Sequence, residues 1–178
     1  MYVIKYKSLN GQTALGYGYT NSSNSAPIIT GTMNNQGLDY GGTNTEGMKF
    51  AGIENFWGNI FKWCDGIVTD ASRNYLTTTG AFDDSGTNYE FTNASGLTSN
   101  TYGYYTNCLG TSEGGFAITT KGGSSTTYFS DYAGCYSSRV AGFGGRWDDG
   151  LDAGPFCLYL SLSASLAFAF VGGRVQKL

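Results

Sequence analysis

Histidine is absent from all 178 residues, which removes the commonest general base and with it every Ser-His-Asp or Cys-His nucleophile. Catalysis in this chain would have to rest on carboxylates, thiols or a metal. The cysteines, Cys64, Cys108, Cys135 and Cys157, are not spaced as CxxC and have no histidine to join, so no metal site and no cofactor is expected. Cys108 and Cys135 could pair in an oxidising compartment, although buried free thiols are the favoured expectation. Charge is scarce as well. Charged residues make up 13% of the chain, its ten Lys and Arg are scattered, and the net charge is -3. A nucleic-acid footprint needs clustered positive charge, so neither DNA nor RNA is expected as a partner. No segment approaches the ~18 uninterrupted apolar residues of a membrane span, and the opening "MYVIKYKSLNGQ" lacks the basic-then-apolar plan of a secretion signal. The expectation is no membrane insertion, in a chain held inside its producing cell until assembly or cut from something longer.

What the chain has instead is 28 Gly and 14 Tyr. That composition reads as short strands joined by tight turns, and Tyr, Ser and Gly are also the residues of adaptable binding surfaces. The length suits one domain over residues 1–178. "YVIKYK", residues 2–7, alternates as a strand, and "NGQ", residues 10–12, supplies a turn. Residues 22–45 read as long loops. The densest apolar block of the first half predicts a helical turn through "IENFWGN", residues 53–59, leading into a strand over "IFKWCDGIV", residues 60–68. Further short strands are predicted in "YLTTTG", "YEFTN", "FAITT" and "TTYFSDY", with no repeat of fixed period.

The carboxy-terminal segment changes composition abruptly. Asn does not occur after Asn107, Ile after Ile118 or Thr after Thr127. Within it, "FCLYLSL" and "SLAFAFV" divide by parity: Phe156, Leu158 and Leu160 share one strand face, and Cys157, Tyr159 and Ser161 the other. In the second run Ala167, Ala169 and Val171 oppose Leu166, Phe168 and Phe170. A strand pair buried on both sides accounts for this pattern, and so does one core face backed by an exposed aromatic and aliphatic patch for a partner.

"GNIFKW", Gly58 to Trp63, resembles the Gly-Asn-Val-Trp-Glu-Trp signature of the formylglycine-generating-enzyme superfamily, with Phe61 in place of the first Trp and Lys62 in place of Glu. "RVAGFGGRWDDGLDAGPFCLYLSLSASLAFAFVGGR", Arg139 to Arg174, is similar to the variable repeat of diversity-generating-retroelement proteins. Gly144, Gly145, Trp147, Gly150, Ala153, Gly154, Phe156, Gly172 and Arg174 stand at the positions of that pattern, and the likeness extends from about Gly47 to the end. The resemblance implies an α+β, C-type-lectin-like fold of the formylglycine-generating-enzyme type.

In that family an error-prone reverse transcriptase rewrites template adenines, so asparagine codons become codons for residues such as Phe, Leu, Tyr, Ser, Cys, Asp, Arg and Pro, but never Lys, Glu, Gln, Met or Trp. From Val140 to Val171 only Trp147 falls outside the reachable set. Codons for Asn, Thr and Ile all begin with adenine, so their loss has a cause under this reading. The resemblance then implies a variable region over about residues 140–171. Its ligand-binding side chains would be Asp148, Asp149, Leu151, Asp152, Cys157, Tyr159, Ser161, Leu162, Leu166, Phe168 and Phe170, joined by Phe143, Arg146 and Pro155. Phe156, Leu158, Leu160, Ala167 and Ala169 would hold the scaffold. The implied function is non-enzymatic: a receptor-binding phage tail-fibre tip, or a bacterial surface adhesin, recognising a protein or glycan on a target cell, with self-association as a further possibility.

The alternative is an undiversified carbohydrate-binding module or enzyme of the same superfamily. "RWDD", Arg146 to Asp149, is similar to the Trp-Asn-Asp motif of calcium-dependent lectins, but the companion Glu-Pro-Asn or Gln-Pro-Asp triplet is missing. An oxidase would need an active-site cysteine pair whose spacing Cys135 and Cys157 do not match. "FDDSG" reads as a solvated turn and "KGGSS" lacks the context of a phosphate loop. Trp57, Trp63 and Trp147 are expected in the core or scaffold rather than against a sugar, and Arg174 is expected to hold the last strand.

Overall fold

A computed structural model describes residues 10–80, 82–111, 115–127 and 130–173. The strand expected over residues 2–7, part of "TTYFSDY" and Arg174 lie outside the described residues. Helix α1, Gly11–Ala14, opens on Asn10, whose side chain accepts a hydrogen bond from Thr13 N. "NGQ" is therefore the start of one helical turn, because asparagine at an N-cap satisfies an otherwise unpaired N–H.

Strands β1, Lys49–Phe50, and β2, Ile53–Glu54, form a small antiparallel ribbon. The rest join one nine-stranded sheet. In chain order these are β3 (Phe61–Thr69), β4 (Tyr75–Thr77), β5 (Phe91–Asn93), β6 (Thr101–Thr111), β7 (Gly115–Lys121), β8 (Tyr132–Cys135), β9 (Val140–Phe143), β10 (Leu158–Leu162) and β11 (Val171–Gly172). Across the sheet they run β5-β4-β3-β9-β10-β8-β6-β7, with β11 beside β3. Neighbours are antiparallel except β10 with β8 and β11 with β3.

The architecture is mostly β, not α+β. Among the described residues helix is confined to α1 and a 3-10 turn at Gly150–Asp152. The helical turn expected over residues 53–59 does not form, because Asn55, Gly58 and Asn59 adopt left-handed φ of 50°, 70° and 64°, which interrupts an α-helix. Asn59 instead clamps a distant loop, accepting from Ile28 N and donating to Ile28 O. The strand that follows matches expectation to within one residue. β6 was not expected, since its Tyr, Thr and Gly residues alternate polar with aromatic and offer no apolar face to the eye.

The core has a cluster on each side of the central strands. Phe61, Val68, Val140, Cys157 and Leu162 pack together, while Tyr75, Cys135, Ala141 and Leu160 form a second cluster. A third, Met48, Phe50 and Trp57, sits against Leu15 and Phe156. Leu160 and Leu162 belong to different clusters although their parity is the same. The pairing of β10 with β9 shifts register between Tyr159 and Leu162, and such a bulge turns the later residue to the other face. The second carboxy-terminal run leaves the sheet after Leu162 and returns only at β11. Ala167 and Ala169 are therefore exposed and are not the scaffold residues expected of a hairpin.

Candidate functional site

The segment from Gly144 to Cys157 links β9 to β10, closes on itself at its ends and is tied down along its length by groups outside it. Gly58 N donates to Gly144 O, and Gly144 N to Cys157 O. The Gln12 amide donates to Gly150 O and Ala153 O at 2.9 and 2.6 Å, Gly150 N donates to Thr20 O, and Asn24 Nδ2 donates to Trp147 O. Asp131, 1% exposed, accepts from Phe156 N at 2.6 Å. Two glycines permit this path. Gly145 has φ of 79°, a conformation other residues resist, and a Cβ on Gly154 would fall on the Asp131 carboxylate.

The pinned segment forms one wall of a cleft of about 280 Å³. Seven of its ten lining residues come from the region expected to vary: Arg146, Asp149, Asp152, Cys157, Tyr159, Leu162 and Phe170. Tyr102 of β6, Tyr132 of β8 and Phe61 of β3 complete it. The Tyr159 ring stacks on Phe61 at 5.3 Å. Tyr102 and Tyr132 lie 5.6 Å apart, and Tyr104 meets Tyr132 edge-on at 5.0 Å. These tyrosines were missed in the sequence because they come from strands that only the parallel pairing of β10 with β8 brings alongside the carboxy-terminal segment.

Arg146 is held in place from several sides. Its Nε donates to Asp149 Oδ1 at 3.2 Å and lies 2.8 Å from Asp148 Oδ1, an ionic contact without hydrogen-bond geometry. Its guanidinium sits 4.9 Å above the Phe170 ring, a cation–π distance, and Phe170 stacks on Phe168 at 5.2 Å. Asp152 accepts a hydrogen bond from Tyr104 OH at 2.5 Å. Burial pushes the Asp149 carboxyl up to about 6 and that of Asp131 up to about 7, against the hydrogen bonds from Arg146 N and Phe156 N that favour the charged forms. Asp152 is raised by burial too.

The remaining expected residues divide by burial. Phe168 and Leu151 are 60% and 48% exposed, as a contact surface requires. Ser161 is half-buried, and half-buried Leu166 lines a second cleft of about 290 Å³ with Trp63, Tyr89, Asp83 and Asp84. Phe143 packs edge-on against Phe56 at 5.3 Å. Pro155 is buried against Gly11, and Cys157 and Leu162 are 1% and 6% exposed. These last three are core-like, so the expected fully exposed patch is replaced by a cleft with a buried floor. Trp147 is half-buried, whereas Trp57 is the indole that is completely enclosed.

Thiol chemistry has little to work with here. Cys135 and Cys157 are buried and free, and Cys64 is free and half-buried. Burial raises all three thiols, Cys64 to about 11, and it is the thiolate that reacts. The side chain of Cys108 lies outside the described residues. Among the described residues no group of three His, Cys, Asp or Glu side chains is placed to hold a metal ion, and no helix is long and apolar enough to cross a membrane. No family model, no curated protein and no solved structure matches this chain.

Proposed function

We propose that this protein is a diversified ligand-binding domain with a C-type-lectin-like fold, displayed at a phage tail-fibre tip or on a bacterial surface, that recognises a receptor on a target cell through the cleft between β6, β8 and the 144–170 segment. One observation carries the reading: the segment whose composition suggests rewritten asparagine codons supplies seven of the ten residues lining a single cleft. Bonds from Gln12, Thr20, Asn24 and Asp131, outside the variable region, hold the segment in place, and within it Asp149 adds an acceptor for Arg146 N. Side chains can then change while the backbone stays put, which a diversified site requires. Raised, enclosed thiols and the absence of histidine support a binding role over an enzymatic one.

An undiversified sugar-binding module is the second reading, favoured by the tyrosine rings Tyr102, Tyr132 and Tyr159 along the cleft, since aromatic faces stack on sugars. Sequencing the gene with its flanking DNA separates the two. The first reading expects a near-identical second copy of the stretch encoding residues 140–174, differing only where that copy carries adenine. Absence of any such copy, together with saturable binding of simple glycosides, would replace it with the second.

A further inference from the structure

The charge in the cleft is unbalanced. Arg146 is already shared between Asp148 and Asp149, yet Asp152 has, among the described residues, only the neutral Tyr104 hydroxyl and no Lys or Arg at ion-pair distance. A half-buried carboxylate without a counter-charge is held at a cost that an incoming cation would relieve. The same cleft is lined by Tyr102 and Tyr132, phenol rings whose faces carry negative potential, and Tyr132 meets the Asp152-bonded Tyr104 edge-on. Exposed Phe168 stacks on Phe170, which lines the cleft, and Leu151, next to Asp152 in the chain, is exposed as well, so apolar side chains suited to a protein partner accompany the cleft residues.

Taking the cleft as the binding site, as proposed above, we infer that it receives a cationic side chain, a lysine ammonium or arginine guanidinium of a protein partner, seated between the Tyr102 and Tyr132 rings and the Asp152 carboxylate. An anionic group would meet Asp149 and Asp152 together. A neutral sugar would use the rings and leave Asp152 as it is. Tyr102 and Tyr132 lie outside the variable region, so the rings are common to every variant and residue 152 sets the sign of charge preferred.

The test uses the full chain and small probes: Nα-acetyl-lysine methylamide, its uncharged isostere Nα-acetyl-norleucine methylamide, and methyl glucoside, followed by NMR of the tyrosine rings. The lysine probe should shift Tyr102 and Tyr132 saturably and the norleucine probe should not. Asp152→Asn, which keeps an acceptor for Tyr104, should weaken the lysine probe about fivefold or more, the factor for ~1 kcal/mol of lost attraction. Tyr102→Leu, at a ring 50% exposed, should weaken it comparably, and it provides a second variant should Asp152→Asn not fold. Equal shifts from lysine and norleucine, or a lysine affinity unchanged in either variant, would overturn the cationic ligand while leaving the cleft as a binding site. Shifts from none of the three probes would overturn the cleft reading and the inference with it.

Discussion

At the scale of single residues, the buried acids set the response to pH. Asp131 sits at about 7 and Asp149 at about 6 in the fold, against an ordinary 3.8. A carboxyl raised by folding keeps its proton where the unfolded chain has lost it, so its contribution to stability is full below about pH 4 and is lost as pH rises through the folded values. The melting temperature is therefore expected to fall between about pH 4 and pH 7, and Asp131→Asn should flatten that slope; a melting temperature that rises across the window would refute the assignment. Aromatic truncations should separate scaffold from surface. Trp57→Ala, at a ring with no exposure, should lose about 3–5 kcal/mol in denaturant unfolding. Phe168→Ala should leave the melting temperature within the noise and weaken ligand binding. Tyr159→Ala and Phe170→Ala should cost stability too, since both rings pack on the Phe61 cluster. Parity placed Tyr159, Phe168 and Phe170 together on a contact face, but Tyr159 and Phe170 pack on the Phe61 cluster and Phe168 lies outside any strand, so of the three only Phe168 is exposed as that reading expects. Asp131 was not legible, because nothing local marks a lone aspartate as the acceptor for a backbone N–H 25 residues away.

At the scale of elements, strands with a partner on each side should outlast those at the margin. β9 and β10 are hydrogen-bonded on both edges, whereas β5 has a neighbour on one side only. Hydrogen exchange should show amides of Val140–Phe143 and Leu158–Leu162 among the slowest in the molecule and those of Phe91–Asn93 among the faster strand amides. The reverse order would mean that the carboxy-terminal segment is the weakly held part of the sheet. The same comparison explains what could be read in advance. β3 and β10 announce themselves by dense apolar alternation, and both lie where expected. The strand assigned to residues 165–171 shrinks to Val171–Gly172, since alternating Ala and Phe looks strand-like whether or not a neighbouring edge is free. Along β3 that strand pairs only with Phe61 and Lys62.

At the scale of the whole molecule, the central pairings join distant parts of the chain: β3 with β9, β11 with β3, and β6 with β8. Loop closure must precede most of the contacts that reward it, so refolding from denaturant should take milliseconds to seconds or longer, as for other sheet-dominated chains. Stopped-flow dilution followed by tryptophan emission checks this, and microsecond folding would contradict it. Composition revealed that the carboxy-terminal segment is different in kind; it could not reveal that the segment leans on the other end of the chain. That dependence has a practical side. A fragment beginning at residue 25 would carry every side chain that lines the cleft, and it would lack Gln12 and Thr20, which fasten Gly150 and Ala153, and Asn24, which fastens Trp147. Anyone building a display library on this scaffold would therefore need to keep the amino-terminal stretch as part of the minimal unit, even though none of its residues lines the cleft.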